Sequence, residues 1–203
     1  MTDRIVDYYF SASSPWTYLG HARFLALAAR HGARINVRPV DLTARVFPVS
    51  GGLPVKQRPP QRQAYRLVEL RRWSASLGVP LHLHPRFFPV ATGAASRMII
   101  AADVAQGAGA ALELAGKIMA GVWAEERDIA DPETLVAMAV AVGLEGVALL
   151  QRSQEREIED RFEGYTQEAI SRNVFGAPFY LYRDEPFWGQ DRLDFLDRAL
   201  AAT

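Results

Sequence analysis

A serine stands where a strand-like run turns into a helix, in Ile5-Val6-Asp7-Tyr8-Tyr9-Phe10-Ser11-Ala12-Ser13-Ser14-Pro15-Trp16-Thr17-Tyr18-Leu19. Proline suits the first helical position, where a backbone N–H would lack a partner anyway, so Pro15 marks N1 and Ser14 the N-cap. The Ser14 hydroxyl then sits among the free N–H groups at the positive end of a helix dipole, a setting that stabilises an oxygen or sulfur anion. A serine before a helix is most often a cap and nothing more. Its surroundings must decide.

The other chemistry-bearing groups are sparse. His82 and His84 alternate on an extended segment and share a face, yet no cysteine and no further histidine or carboxylate pattern completes a metal site. They read as loop surface or cleft lining. His21 and His31 lie ten apart on the first helix, with His31 at the end where a cation is welcome; neither is assigned a catalytic role. No histidine stands in an evident sequence relation to Ser14, which disfavours a serine hydrolase. Glu125, Glu126, Arg127 and Asp128 read as a solvated helix end. Lys56, Arg58 and Arg62 form a basic run that is either a solvated loop or an anion site, and Trp16, Phe47 and Phe88 either wall an apolar pocket or pack in the core.

Composition narrows the classes. A chain of 203 residues, 49% hydrophobic and 23% charged, is the size of one large domain or of a compact domain with an insertion. Lys plus Arg and Asp plus Glu both number 23, so no net field favours nucleic acid or an anionic membrane. The absence of cysteine removes disulfides, thiolate metal sites and a protein thiol nucleophile together, and with them disulfide exchange by the chain itself. The start Met1-Thr2-Asp3-Arg4 lacks the basic-then-apolar pattern of a signal peptide, and no apolar run approaches the roughly 18 residues of a membrane span. The expected compartment is the cytoplasm.

Hydrophobic periodicity supplies the elements that hold these groups. Residues 4–10 read as a strand, 15–31 as a helix stopped by Gly32, and 34–40 as a second strand, an order that favours a parallel crossover. Residues 43–60 carry Pro48, Gly51, Gly52, Pro54, Pro59 and Pro60 and read as a long loop without regular elements. Residues 61–172 read as helical: 64–77, then 92–106 and 110–123 with small residues suited to close packing, then 133–142 opened by Asp131-Pro132, 145–151 and 154–171. After Gly176-Ala177-Pro178 the period returns to two: a strand over 179–182, a turn at 183–186, a strand at 187–188, and a last helix over 191–201. The expectation is an α/β protein of thioredoxin-like fold, β-α-β … β-β-α, with an inserted all-helical domain. Residues 1–42 and 173–203 form the thioredoxin-like part and 43–172 the insertion with its entry loop.

Five strings in order resemble the 2-hydroxychromene-2-carboxylate isomerase family, a relative of kappa-class glutathione transferases and of disulfide-bond oxidoreductase A proteins. They are Phe10 to Leu19 with Ser14-Pro15-Trp16-Thr17-Tyr18, Tyr65 to Gly78 with Leu70-Arg71-Arg72-Trp73, Val122-Trp123-Ala124-Glu125 to Asp131-Pro132, Val174-Phe175-Gly176-Ala177-Pro178, and Trp188-Gly189-Gln190-Asp191-Arg192-Leu193. The resemblance implies glutathione as cofactor, with Ser14 donating a hydrogen bond to its sulfur. Pro178 matches a cis-proline beside which Ala177 offers its backbone to the glutathione peptide; on residue type alone a trans proline at a strand entrance is the expected form, since few X–Pro bonds are cis, and the resemblance reverses that expectation. Gly189 and Gln190 with Asp191 would hold the cofactor's carboxylate and α-ammonium at the start of the last helix, where Asp191 could equally be a plain cap. Arg62 stands where relatives often carry a lysine, and Ser11 where many carry an acidic residue.

The activity so implied is glutathione-dependent conversion of 2-hydroxychromene-2-carboxylate, or a similar unsaturated aromatic 2-oxo acid, to its trans-alkenyl pyruvate isomer in naphthalene-like aromatic breakdown. The implied partners are a small aromatic substrate and a second copy of the chain. Two alternatives share the same cofactor site: a kappa-like glutathione transferase that conjugates electrophiles, and a non-catalytic glutathione-binding module.

Overall fold

The computed structural model describes residues 4–202; Met1, Thr2 and Asp3, on which the signal-peptide reading partly rests, and Thr203 lie outside them. Four strands form one sheet in the order β2-β1-β3-β4, with β1 Ile5–Phe10, β2 Arg34–Pro39, β3 Phe179–Tyr182 and β4 Glu185–Trp188. β2 runs parallel to β1 from Ile5 opposite Arg34 to Phe10 opposite Pro39, while β3 returns antiparallel with Tyr9 opposite Phe179. Side chains alternate across a strand. Val6, Tyr8 and Phe10 therefore enter the main core on one face, and Tyr9 enters a second cluster with Leu42, Val46, Phe179 and Leu181 on the other.

Helices cover both faces. α1 (Pro15–Arg30) brings Phe24 onto the ring of Tyr8, 4.7 Å between centroids, and Tyr180 stacks on the same tyrosine at 5.3 Å. α2 (Phe47–Ser50) is a single turn, α3 (Pro60–Leu77) lies outermost, and α4 (Gly93–Gln106) pairs with α5 (Ala108–Trp123) around Gly107, whose φ of +85° makes the reversal. α6 (Pro132–Ala141), α7 (Gly146–Arg152) and α8 (Arg156–Ser171) complete the insertion, and α9 (Leu193–Ala201) closes the chain. The main core is continuous from Val6, Tyr8 and Phe24 through Met98, Ile99, Leu114 and Trp123. Among the described residues no helix is long and apolar enough to cross a membrane.

Several boundaries shift by one or two residues from the sequence reading, and three regions differ more instructively. Residues 43–60 are not without regular elements: Asp41 accepts from Ala44 N at 3.0 Å to open a π-type turn over Leu42–Val46, α2 follows, and a 3-10 turn spans Val55–Gln57. Proline and glycine break long elements but suit single turns. α3 starts at Pro60 rather than 64, because a proline at N1 is pre-organised for a helix. The β3–β4 turn is two residues, Arg183 and Asp184, with φ of +52° and +64°, so Glu185 and Pro186 belong to β4. Proline is tolerated there because β4 is an edge strand.

Two contacts on α1 determine how its neighbours sit. Gly20 faces the turn over Gln190–Arg192, where a Cβ would lie 2.6 Å from Gln190 Cβ and 3.3 Å from its Cα. Although alanine is the better helix former, Gly20→Ala should lower stability in urea unfolding by about 1–3 kcal/mol, the cost of overpacking a fitted contact. His21 is 5% exposed, with Nδ1 3.1 Å from Tyr8 Oη and Nε2 2.9 Å from the Leu112 carbonyl. A carbonyl only accepts, so Nε2 carries the proton and Nδ1 accepts from the tyrosine.

Burial lowers the His21 pKa from its ordinary 6.5 to about 4, against a smaller upward pull from the Leu112 carbonyl. The unfolded chain therefore binds a proton at this histidine through a window in which the folded chain does not. Its contribution to stability is complete above about pH 6.5 and is lost as the pH falls towards 4. Urea unfolding at pH 4.5 should show a loss of roughly 2–3 kcal/mol relative to pH 7 from this group. In His21→Gln that component of the pH dependence should vanish.

Candidate active site

Ser14 caps α1 as its sequence setting predicts, with extended backbone at φ −77° and ψ 121° and its Oγ accepting from Thr17 N at 3.2 Å. The turn before it is anchored twice: Ser14 N donates to Ser11 O at 3.0 Å, and the Trp123 indole N–H donates to Ser13 O at 3.2 Å. The hydroxyl proton of Ser14 points at the Ala177 carbonyl over a long 3.3 Å. The fold thus brings together two residues 163 positions apart. A bond at that distance is weak, and the hydroxyl can turn to a better acceptor.

The Ala177–Pro178 peptide bond is cis, and Gly189 N donates to Pro178 O at 2.9 Å, so the start of β3 and the end of β4 form one surface beside Ser14. Ala177 is 8% exposed, and its N–H has no hydrogen-bond partner among the described residues. A buried backbone donor without a partner is rare. In a residue that also lines a cavity, it marks a position for an acceptor supplied by a ligand.

Two recesses meet here. The larger, about 910 Å³, is lined by Ser14, Ser11 and Ala177, by the apolar walls Trp16, Phe47 and Phe88, and by the cations Lys56, Arg58, Arg62 and Arg66. Asp41 is its one carboxylate among the described residues, already engaged by Ala44 N. The smaller, about 270 Å³, is lined by Glu69, Trp73, Gly189, Gln190, Asp191 and Arg192, and shares Trp16, Ala177 and Trp188 with the first. Trp16, Phe47 and Phe88 are therefore pocket walls, and Phe47 and Phe88 pack against the two core clusters as well.

Other predicted residues fall around this pair of recesses with distinct fates. Gly189 has φ +99°, a backbone conformation that demands glycine, and a Cβ there would also crowd the movable carboxylate end of Asp191, whose Oδ1 lies 2.5 Å away. Gln190 is buried, its Oε1 accepting from Arg23 at 2.8 Å, which holds that side chain against α1. Asp191 is no helix cap: α9 begins at Leu193 without a side-chain cap, and the carboxylate instead accepts from Arg192 at 2.6 Å on the surface. An aspartate one turn ahead of the α-helix lies in the 3-10 turn, too early to reach the free N–H groups of α9. Pro178 lines neither recess, and Arg62 lines the larger one, across from the Asp191 side.

No histidine among the described residues lines the larger recess. His21 has both nitrogens engaged in the core, His31 pairs with Asp197, and His82 contacts the Ala124 carbonyl. A serine–histidine nucleophile is not assembled. The sequence reading missed Arg66, which lies one helical turn beyond Arg62 on α3 and is 8% exposed. The i, i+4 spacing of the two arginines was the available signal.

The similarity to known proteins extends over nearly the whole chain. The family model of the DSBA-like thioredoxin domain matches residues 5–201. A 2-hydroxychromene-2-carboxylate isomerase of Sphingobium xenophagum is 31% identical over 97% of this chain and 98% of its own. The glutathione S-transferase kappa 1 of Homo sapiens is 23% identical over 97% and 91%. A solved structure of a 2-hydroxychromene-2-carboxylate isomerase superposes with a TM-score of 0.78 at 31% identity, covering 98% of this chain and 95% of that one.

Proposed function

The chain belongs to the DSBA-like thioredoxin domain family, among relatives named as 2-hydroxychromene-2-carboxylate isomerases, and on that premise we propose that it is a glutathione-dependent isomerase. Its proposed substrate is 2-hydroxychromene-2-carboxylate or a similar unsaturated aromatic 2-oxo acid, converted to the trans-alkenyl pyruvate in aromatic catabolism. A cytoplasmic homodimer belongs to the same proposal. One observation carries it: in a chain without cysteine, a helix-capping hydroxyl adjoins a backbone N–H without a partner among the described residues, at the junction of two recesses.

That junction suits a peptide thiol. Ala177 offers an N–H and a carbonyl in the pattern by which an extended peptide adds to a strand. Asp191 and the Gly189–Gln190 backbone would receive the ammonium and carboxylate of the γ-glutamyl end, since the exposed Asp191–Arg192 pair is weak enough to exchange partners. Arg62 would meet a second carboxylate from the larger recess. When bound, glutathione supplies the soft thiolate nucleophile that this chain lacks, for reversible addition to a conjugated double bond.

The protein's own residues then do four things. Ser14 turns its hydroxyl from the Ala177 carbonyl to donate towards the sulfur position, while the N-terminus of α1 favours negative charge there. The cis-proline segment fixes the peptide beside it. The aromatic walls hold an unsaturated body and exclude water. The cations of the larger recess hold the substrate's acid group.

Ser14→Ala tests the reading. The loss of a cap should cost about 1 kcal/mol of stability, leaving the fold intact by circular dichroism. Isomerisation in glutathione-supplemented assays, followed by formation of the trans product, should fall about 100-fold, the scale of losing one anion-stabilising donor. An unchanged rate would sink the role of Ser14. Accumulation of a stable thioether in the wild-type reaction, in place of recovered glutathione, would assign conjugation instead.

A further inference from the structure

The most unusual group in the molecule is Arg66. It is 8% exposed, its Nη2 is buried without a hydrogen-bond partner, and its side chain makes no hydrogen bond or ion pair with any described residue. Its guanidinium lies 5.3 Å from the ring centroid of Phe88 and 5.6 Å from that of Trp123, and it lines the larger recess. Aromatic faces attract a cation but do not satisfy its N–H donors. A buried charge without a counter-ion is strongly unfavourable, so its surroundings are incomplete until an anion arrives.

The environment strengthens that conclusion. Burial first, and the charge of Arg58 second, lower the Arg66 pKa to about 10, which still leaves it ionised at neutral pH. Lys56, Arg58 and Arg62 share the recess, although the whole chain has no net charge. The cations are concentrated at one place. Arg58 is already committed, its Nε donating to Leu53 O at 2.8 Å, and Arg62 is exposed at the rim. Arg66 alone combines burial with free donors, and a guanidinium offers them as a planar fork that matches a carboxylate.

We propose that Arg66 is the specificity-determining residue of the larger recess, receiving the carboxylate of a planar aromatic or conjugated acid whose unsaturated body lies against Trp16, Phe47 and Phe88. The inference rests on the isomerase reading for the identity of the recess as the acceptor's site, but the anchor itself needs no thiol. Its ligand class is an apolar monocarboxylate. Neutral analogues of the same shape lack the group that completes Arg66, and a site with an unpartnered buried polar group discriminates strongly against them.

Calorimetric titration with 1-naphthoate and with its neutral isostere 1-naphthamide tests this, alongside a separate titration with reduced glutathione. The wild-type chain should prefer the acid by about 10- to 100-fold, the range of a charge-assisted hydrogen-bonded pair. Arg66→Met should abolish the preference and leave affinity for the amide and for glutathione unchanged. Arg66→Lys, which keeps the charge without the fork, should retain only part of it.

Equal affinity of the wild type for acid and amide, no binding of the acid, or an acid preference that survives in Arg66→Met would overturn the proposal. The wild-type comparison needs no variant to fold. If glutathione fails to bind while the Arg66-dependent acid preference holds, the thiol reading falls and the anchor stands. If glutathione binds and the preference is absent, the anchor alone falls.

Discussion

Antiparallel pairing of β3 on β1 is the interaction on which the molecule depends. It places Phe179 opposite Tyr9 and Tyr180 opposite Tyr8, joining a segment near the end of the chain to the first strand. Both strands are buried on two faces, so the pairing cannot slip by one residue without moving aromatic side chains from one core cluster to the other. The strand ends inherit that register. The turn leaving β1 becomes the N-terminus of α1, the segment entering β3 carries Ala177, and the two meet as a consequence of a ladder several residues away.

The helical insertion contributes the other wall and the charge. Its helices α4 and α5 continue the core that begins on the sheet, while α3 stands outermost with Arg62 and Arg66 towards the recess. A balanced chain thereby has one recess that is locally cationic and walled by aromatic rings at once. The sheet side offers neutral donors, a hydroxyl and a backbone N–H; the insertion side offers full positive charge. That division suits a ligand pair in which a thiol and an acid approach from different directions, which is the arrangement proposed for the reaction.

Much of this is legible in the sequence. Ser14-Pro15 could be read as a cap because the physics of a helix start is local, and the return of period-two patterning at Phe179 announced the second strand pair. The π-type turn after Asp41 and the short turns up to Gln57 were not legible, since prolines and glycines signal interruption without saying whether single turns survive between them. A plain cap at Asp191 stays open in the sequence because periodicity cannot tell a 3-10 turn from the first turn of an α-helix. Arg66 escaped notice for a different reason: an arginine in a polar helix looks solvated until tertiary packing lays Phe88 and Trp123 over it.

Trp123 touches both halves of the site. Its indole N–H is bonded to the Ser13 carbonyl, one residue from the capping serine, and its ring lies beside the Arg66 guanidinium. It is fully buried at the end of α5. One buried ring therefore touches both the turn that precedes the capping serine and the guanidinium on the insertion side. The separation between those groups belongs to the protein rather than to whatever binds. Trp123 is in that sense a shared strut: any change to its ring would disturb the turn before the serine and the surroundings of the arginine together.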